Sequence, residues 1–194
     1  MSDQFTLDRD DVVLLFADLQ PRIIKNSSTN SPKLIEAGAE ALAKVAEILG
    51  VPKLFSVVLE DGGPATHLPA LAADASGANS FTRQAASPFM DPAFVAALEA
   101  TGRRTLVIAG YSTEAVILFA GLDAITAGYR VIVALDACGA RSARTEDAVL
   151  RRIERAGATV TSVIGVVMGC APDFTSPEGK QAFAVVHEFM ATRD

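Results

Sequence analysis

The sequence predicts an α/β chain in three layers, α/β/α, around a mostly parallel sheet of six strands with Rossmann-like topology. Three observations carry this. Short, nearly continuous apolar runs alternate with stretches of helical periodicity. Runs of that kind suit strands buried on both faces, as in parallel sheets. The stretch Thr105–Ala137 reads as strand, tight turn, helix and strand, and such a βαβ unit builds a parallel pair. Right-handed crossovers then place helices on both faces.

Taken in order, Asp11–Ala17 is the first strand and ends at Asp18-Leu19-Gln20-Pro21. An Asn- and Ser-rich segment, 26–31, leads to Pro32, which opens a helix to Leu49. Lys53–Leu59 is the second strand, closed by the loop signal Glu60-Asp61-Gly62-Gly63-Pro64. A weak helix falls near Pro69–Asp74, and Ser80–Thr82 forms a short third strand with Arg83 at its end. Asp91-Pro92 caps a helix to Thr101. Leu106–Ala109 is the fourth strand, stopped by Gly110; Ser112 and Thr113 are N-cap candidates for a helix that Gly128 closes, with Glu114 in its first turn. Tyr129–Leu135 is the fifth strand, Arg144–Ala156 a helix ended by Gly157, Thr159–Ser162 the sixth strand, and Pro177–Met190 the last helix. With no linker and no internal repeat, residues 1–194 are expected to form one domain.

The formal charge of −6 and the absence of a Lys/Arg-rich run argue against nucleic acid as a partner. Arg141, Arg144, Arg151, Arg152 and Arg155 alternate with acids and read as a solvated helix face. No apolar stretch is long enough to span a membrane, and the acidic start MSDQFTLDRDD has no signal-peptide core; with no disulfide framework at Cys138 and Cys170, a reducing cytoplasm is the expected compartment. Cys138 and Cys170 have no metal spacing, and His67 is the one histidine in mid-chain, so neither metal nor cofactor is expected.

Ligands of such sheets bind beyond the carboxyl ends of the strands. That selects Asp18, Gln20, Glu60, Asp61, Arg83, the 110–116 turn and 136–139. Asp18 follows a buried strand, where an acid needs a reason; desolvation would raise its pKa toward that of a proton donor. Arg83 stays charged. It either grips a carboxylate or oxyanion or orders the pocket by pairing with Asp18, Glu60 or Asp61, and a pair with Asp18 would pull that acid's pKa down. Cys138 reads as a small buried hydrophobe, with a replacement nucleophile as the alternative.

Three segments, LLFADLQ, FTRQAASPFMDPAFVAAL and LVIAGYSTEAVILFAGLDAITAGYRVIVALDACG, the last continuing through RTEDAVLRRIERAGATVTS, together resemble the isochorismatase-like cysteine hydrolases. The resemblance implies that family's fold and hydrolysis of small amides, imides or related bonds by an Asp–Lys–Cys triad, with an oxyanion held by backbone N–H groups often beside a cis peptide. Carried over, the aspartate is Asp18, the lysine position is Arg83 and the cysteine position is Val116. The nicotinamidase-type metal cluster is absent. Gln20, Glu60, Tyr111, Ser112, Thr113 and Val116 become candidate substrate contacts. The resemblance also implies that some members, which cleave the vinyl ether of isochorismate, work through the aspartate without needing the cysteine. The expected function is therefore hydrolysis of a small amide, ester or vinyl ether without a cysteine, with Asp18 as general acid/base; the alternative is a non-catalytic small-molecule binding or interaction protein. The high apolar content and the amphipathic last helix point to a homo-oligomer.

Overall fold

The structure is a computed structural model that describes residues 7–60 and 65–192. The chain's first six residues, the loop signal Asp61–Pro64, and Arg193 and Asp194 lie outside the described residues.

Six parallel strands form one sheet in the order β3-β2-β1-β4-β5-β6: β1 (Val12–Ala17), β2 (Lys53–Val58), β3 (Ser80–Arg83), β4 (Thr105–Tyr111), β5 (Arg130–Gly139) and β6 (Thr159–Thr161). The helices are α1 (Pro21–Ile24), α2 (Pro32–Leu49), α3 (Pro69–Ala72), α4 (Pro92–Ala100), α5 (Leu118–Thr126), α6 (Ala143–Ala156), α7 (Val163–Cys170) and α8 (Pro177–Met190). Alternation along each strand divides the core. Val12, Leu14 and Phe16 face one layer with α2, α7 and α8, while Val13, Leu15 and Ala17 face the other with α4, α5 and α6. Among the described residues, no helix is long and apolar enough to cross a membrane.

The caps follow the sequence. Ser31 accepts from the Leu34 N–H at 3.2 Å, with Pro32 opening α2, and Asp91 accepts from the Ala93 N–H at 2.9 Å at the start of α4. The arginine-rich face of α6 is exposed, as its charge pattern requires.

Five elements differ from the sequence reading. Arg83 is the last residue of β3, paired with Val58, rather than a residue beyond it. β4 continues through Gly110 to Tyr111. The strand expected to stop at Leu135 runs on to Gly139, because a bulge sets Ala134–Ala137 opposite the single residue Ala109 before pairing resumes at Gly110–Cys138. Helices α1 and α7 were not expected; α1 is one turn long, and α7 is apolar almost all round and so shows no periodicity.

Gly110 stands where β4 meets β1 beside Ala17. A Cβ there would lie 2.1 Å from the Ala17 carbonyl oxygen. Gly110→Ala is therefore expected to lower stability by about 2–3 kcal/mol, measured as a reduced urea midpoint with an unchanged m-value.

Candidate active site

β1 delivers Asp18 into a left-handed backbone conformation (φ 54°), and it is the one non-glycine residue with positive φ among the described residues. The conformation is uncommon for a side chain, though Asp tolerates it better than most. It is held by the Asp18 N–H donating to the Ser56 carbonyl at 2.8 Å and the Gln20 N–H donating to the Asp18 carbonyl at 2.9 Å. The carboxylate is buried, and Arg83, equally buried, meets it with both arms of its fork: Nη1 to Oδ1 at 2.5 Å and Nη2 to Oδ2 at 2.6 Å. Arg83 also donates from Nη1 to Ser56 Oγ at 3.2 Å and from Nε to the Ala85 carbonyl at 2.9 Å. Of the partners the sequence left open for Arg83, Asp18 is therefore the one bonded, and Asp61 lies outside the described residues. Burial pushes the Asp18 carboxyl above its ordinary value, and the hydrogen bonds and charge of Arg83 oppose that push.

Gln20 forms a second cluster. It is fully buried, and both of its amide protons are taken, by the Val58 carbonyl at 3.0 Å and Glu60 Oε1 at 2.7 Å. Its own oxygen accepts from the Val58 N–H at 2.9 Å, so the side chain bridges the ends of β1 and β2. At Glu60, burial favours the neutral acid, but hydrogen bonds from Gln20 and Thr66 and the charge of Arg22 outweigh it and hold the carboxyl below its usual value.

The turn after β4 starts with a cis Tyr111–Ser112 peptide and continues as a π-helical turn, Thr113–Ile117, into α5. The expected caps are not formed. Ser112 makes no side-chain capping bond. Thr113 directs its hydroxyl to Glu146 Oε1 at 2.9 Å and to the Gly139 carbonyl at 3.1 Å. Glu114 serves another helix: its Oε1 accepts from the Arg141 N–H and from Thr145 Oγ1, each at 3.0 Å. The pairs Thr113-Glu114 and Thr145-Glu146 thus exchange hydroxyl–carboxylate bonds and clasp the turn to the start of α6. The wide π-helical turn needs these outside partners because its own ladder is irregular.

Val116 is fully buried among apolar side chains on the α4–α6 face. Leu54 in β2 and Phe81 in β3 alternate with Ser56 and Arg83 onto that same face. Tyr111 is buried, and burial pushes its phenol up. Ser112 and Glu114, with Arg141, Ser142 and Thr145, border a shallow concavity of about 580 Å³ that does not include Asp18 or Arg83. The sequence-selected residues are thus bonded in three sets at the ends of adjacent strands: Asp18 with Arg83, Gln20 with Glu60, and the turn with α6.

Cys138 is fully buried, and burial pushes its thiol up to about 12, so at neutral pH it is neither thiolate nor accessible. Among the described residues, no three His, Cys, Asp or Glu side chains are grouped to hold a metal ion. Ser56 was missed by sequence reasoning; its one signal is a hydroxyl inside the otherwise apolar run Leu54–Val58.

Residues 12–164 match the isochorismatase domain. The chain belongs to the isochorismatase family. Among its relatives, the probable hydrolase YcaC of Escherichia coli is 29% identical over 161 residues, covering 82% of this chain and 77% of that one. Bovine isochorismatase domain-containing protein 2 is 31% identical over 152 residues, covering 77% and 72%. The crystal structure of the Escherichia coli YcaC gene product, described as an octameric hydrolase of unknown specificity, superposes with a TM-score of 0.88 at 26% identity over 98% of this chain and 95% of that one. The six-stranded sheet with helices on both sides is thus the isochorismatase fold, as the sequence resemblance implied.

Two measurements follow from the geometry. Iodoacetamide at about pH 8 should leave Cys138 of the native protein unmodified and label both cysteines in urea, read by mass spectrometry. Because its carboxyl value is raised on folding, Asp18 holds its proton to a higher pH in the native chain than in the unfolded one, where it titrates near 3.9. The associated stabilisation is complete below about pH 3.9 and is lost as pH rises through the native value. Urea midpoints of the wild type relative to Asp18→Asn should accordingly fall as pH is raised from 4.

Proposed function

We propose that this isochorismatase-family chain is a hydrolase of a small molecule, an amide, ester or vinyl ether, that works without a cysteine nucleophile. In this reading Val116 occupies the family's cysteine position and Arg83 its lysine position. Asp18 is the general acid/base, and the other contacts to substrate come from Tyr111, Ser112, Thr113 and Val116 of the turn and from Gln20 and Glu60 at the ends of β1 and β2. The carrying observation is Asp18 itself, a buried carboxyl on a left-handed backbone at the carboxyl end of a central strand. Costly conformations of this kind gather at functional sites.

The vinyl ether arm needs the least. Protonated Asp18 gives its proton to the alkene carbon, and the resulting oxocarbenium ion takes up water. The water returns a proton to Asp18, and the hemiketal collapses to a carbonyl compound and an alcohol, so one water is consumed and one C–O bond is broken. Burial assists by holding the carboxyl above its ordinary value. Since both Asp18 oxygens accept from Arg83, one of those two bonds must give way when the acid is loaded. Water is the only co-reactant.

The same two bonds favour a second reading, a non-catalytic binding protein, because a carboxylate held by both oxygens is poorly placed to exchange protons. We further infer a single isochorismatase-like domain over residues 1–194, a cytoplasmic location, and assembly into a homo-oligomer. The octameric YcaC relative supports the last, as do the exposed apolar side chains of Leu59, Met90 and Phe119.

A screen of small amides, esters and vinyl ethers tests the reading. Asp18→Asn should lower turnover of any hit by about 100-fold or more, and full turnover in that variant would sink the acid role. Ligand-induced thermal stabilisation with no turnover across the screen would favour the binding protein.

A further inference from the structure

Asp18 comes from β1 and Arg83 from β3, and β2 lies between them. Two strand spacings of about 4.8 Å separate the partners, so the Arg83 side chain must pass over β2 to reach the carboxylate. It crosses at Ser56, which pairs with Ala17 of β1 on one side and Phe81 of β3 on the other. Ser56 is fully buried in a strand core otherwise made of Leu54, Phe55, Val57 and Val58. Its main-chain carbonyl accepts from the Asp18 N–H at 2.8 Å, and its hydroxyl accepts from Arg83 Nη1 at 3.2 Å. One residue therefore touches both partners, the backbone of the acid and the side chain of the paired cation. Position 56 has two demands: small enough for the arginine to cross, and polar enough to hold it there. A buried hydroxyl in an apolar strand is otherwise unfavourable unless it is bonded.

We propose that Ser56 is a positioning residue for the Asp18 acid, fixing the Arg83 fork and the Asp18 backbone so that guanidinium and carboxylate meet in one geometry. Its consequence for catalysis rests on the function proposed above. The charged group acting on the Asp18 carboxyl is Arg83, from β3; β2 and β4 contribute the neutral Ser56 and Gly110 beside the end of β1. Without the hydroxyl, Nη1 loses an anchor, the fork loosens, and burial acts on the carboxyl with less opposition.

The test is a carbon-13 NMR titration of the Asp18 carboxyl in the full-length protein, with its resonance assigned by its loss in Asp18→Asn. Ser56→Ala should move the Asp18 midpoint upward by about 0.5–1 pH unit. Ser56→Thr, which keeps the hydroxyl but adds a methyl, should raise it less than Ser56→Ala does. An unchanged midpoint in Ser56→Ala overturns the proposal, and so does an equal rise in both variants, because packing rather than the hydroxyl would then be responsible. On any substrate the screen finds, activity that needs protonated Asp18 falls as pH rises through that midpoint. Ser56→Ala should carry this limb of kcat/KM upward by the same interval, and a limb that stays in place overturns the catalytic consequence. Full turnover in Asp18→Asn would remove the acid role of Asp18 alone, since the titration decides the role of Ser56 without reference to turnover.

Discussion

The Asp18–Arg83 ion pair is the constraint around which this end of the molecule is arranged. Both groups are buried, and an ion pair in that setting contributes little net stability, because removing two charges from water costs about as much as their attraction returns. What it does impose is geometry. The pair is tolerable only when the fork meets the carboxylate squarely and further donors are bonded; Ser56 takes one from Nη1 and the Ala85 carbonyl takes Nε. The strands on either side hold the acid in place. The Asp18 backbone is left-handed and anchored to β2, and β4 approaches β1 so closely at Ala17 that a Cβ at 110 would clash with its carbonyl.

A second polar network secures the other half of the strand ends. The bulge in β5 turns carbonyls out of the ladder, and Asn30 collects two of them, donating to Leu135 and Cys138 at 2.9 and 2.8 Å. Thr29 and Ser28 bond the N–H and carbonyl of Ala140. The segment held in this way presents the Gly139 carbonyl to Thr113, whose turn is clasped to α6 through Glu114 and Glu146. The Asn- and Ser-rich stretch before α2 is therefore the support for the far side of the π-helical turn. Backbone groups freed by a bulge need partners when they are buried, and short polar side chains on a neighbouring loop are an economical source.

Much of the fold was legible because its signals are local. Val12–Ala17 and Leu106–Ala109 are apolar without interruption, as strands covered on both faces must be, and Ser31-Pro32 and Asp91-Pro92 mark helix starts by their own chemistry. The elements that escaped are those with no local cause. β5 passes Leu135 only because a bulge and Asn30, more than a hundred residues away in sequence, let pairing resume. α7 has no polar face to set a period, and its start is held by Asp136 bonding the Val163 N–H at 2.6 Å. At the strand ends, the placement rule selected Asp18 and Arg83, which the structure brings together, but the caps expected of Ser112 and Thr113 assumed an ordinary helix start, and the π-helical turn sends Thr113 and Glu114 to partners on other elements instead.

By itself the sequence determined the three-layer parallel architecture, the family, and the positions that reach the carboxyl edge of the sheet, because apolar period, turn residues and strand-end acids are written within a few residues of one another. Only the tertiary structure decided which acid Arg83 engages, that Ser56 stands between them, and that Cys138 is sealed from reaction. Each of those facts depends on which strands lie side by side and how far burial excludes water, and these are set by packing between segments tens of residues apart.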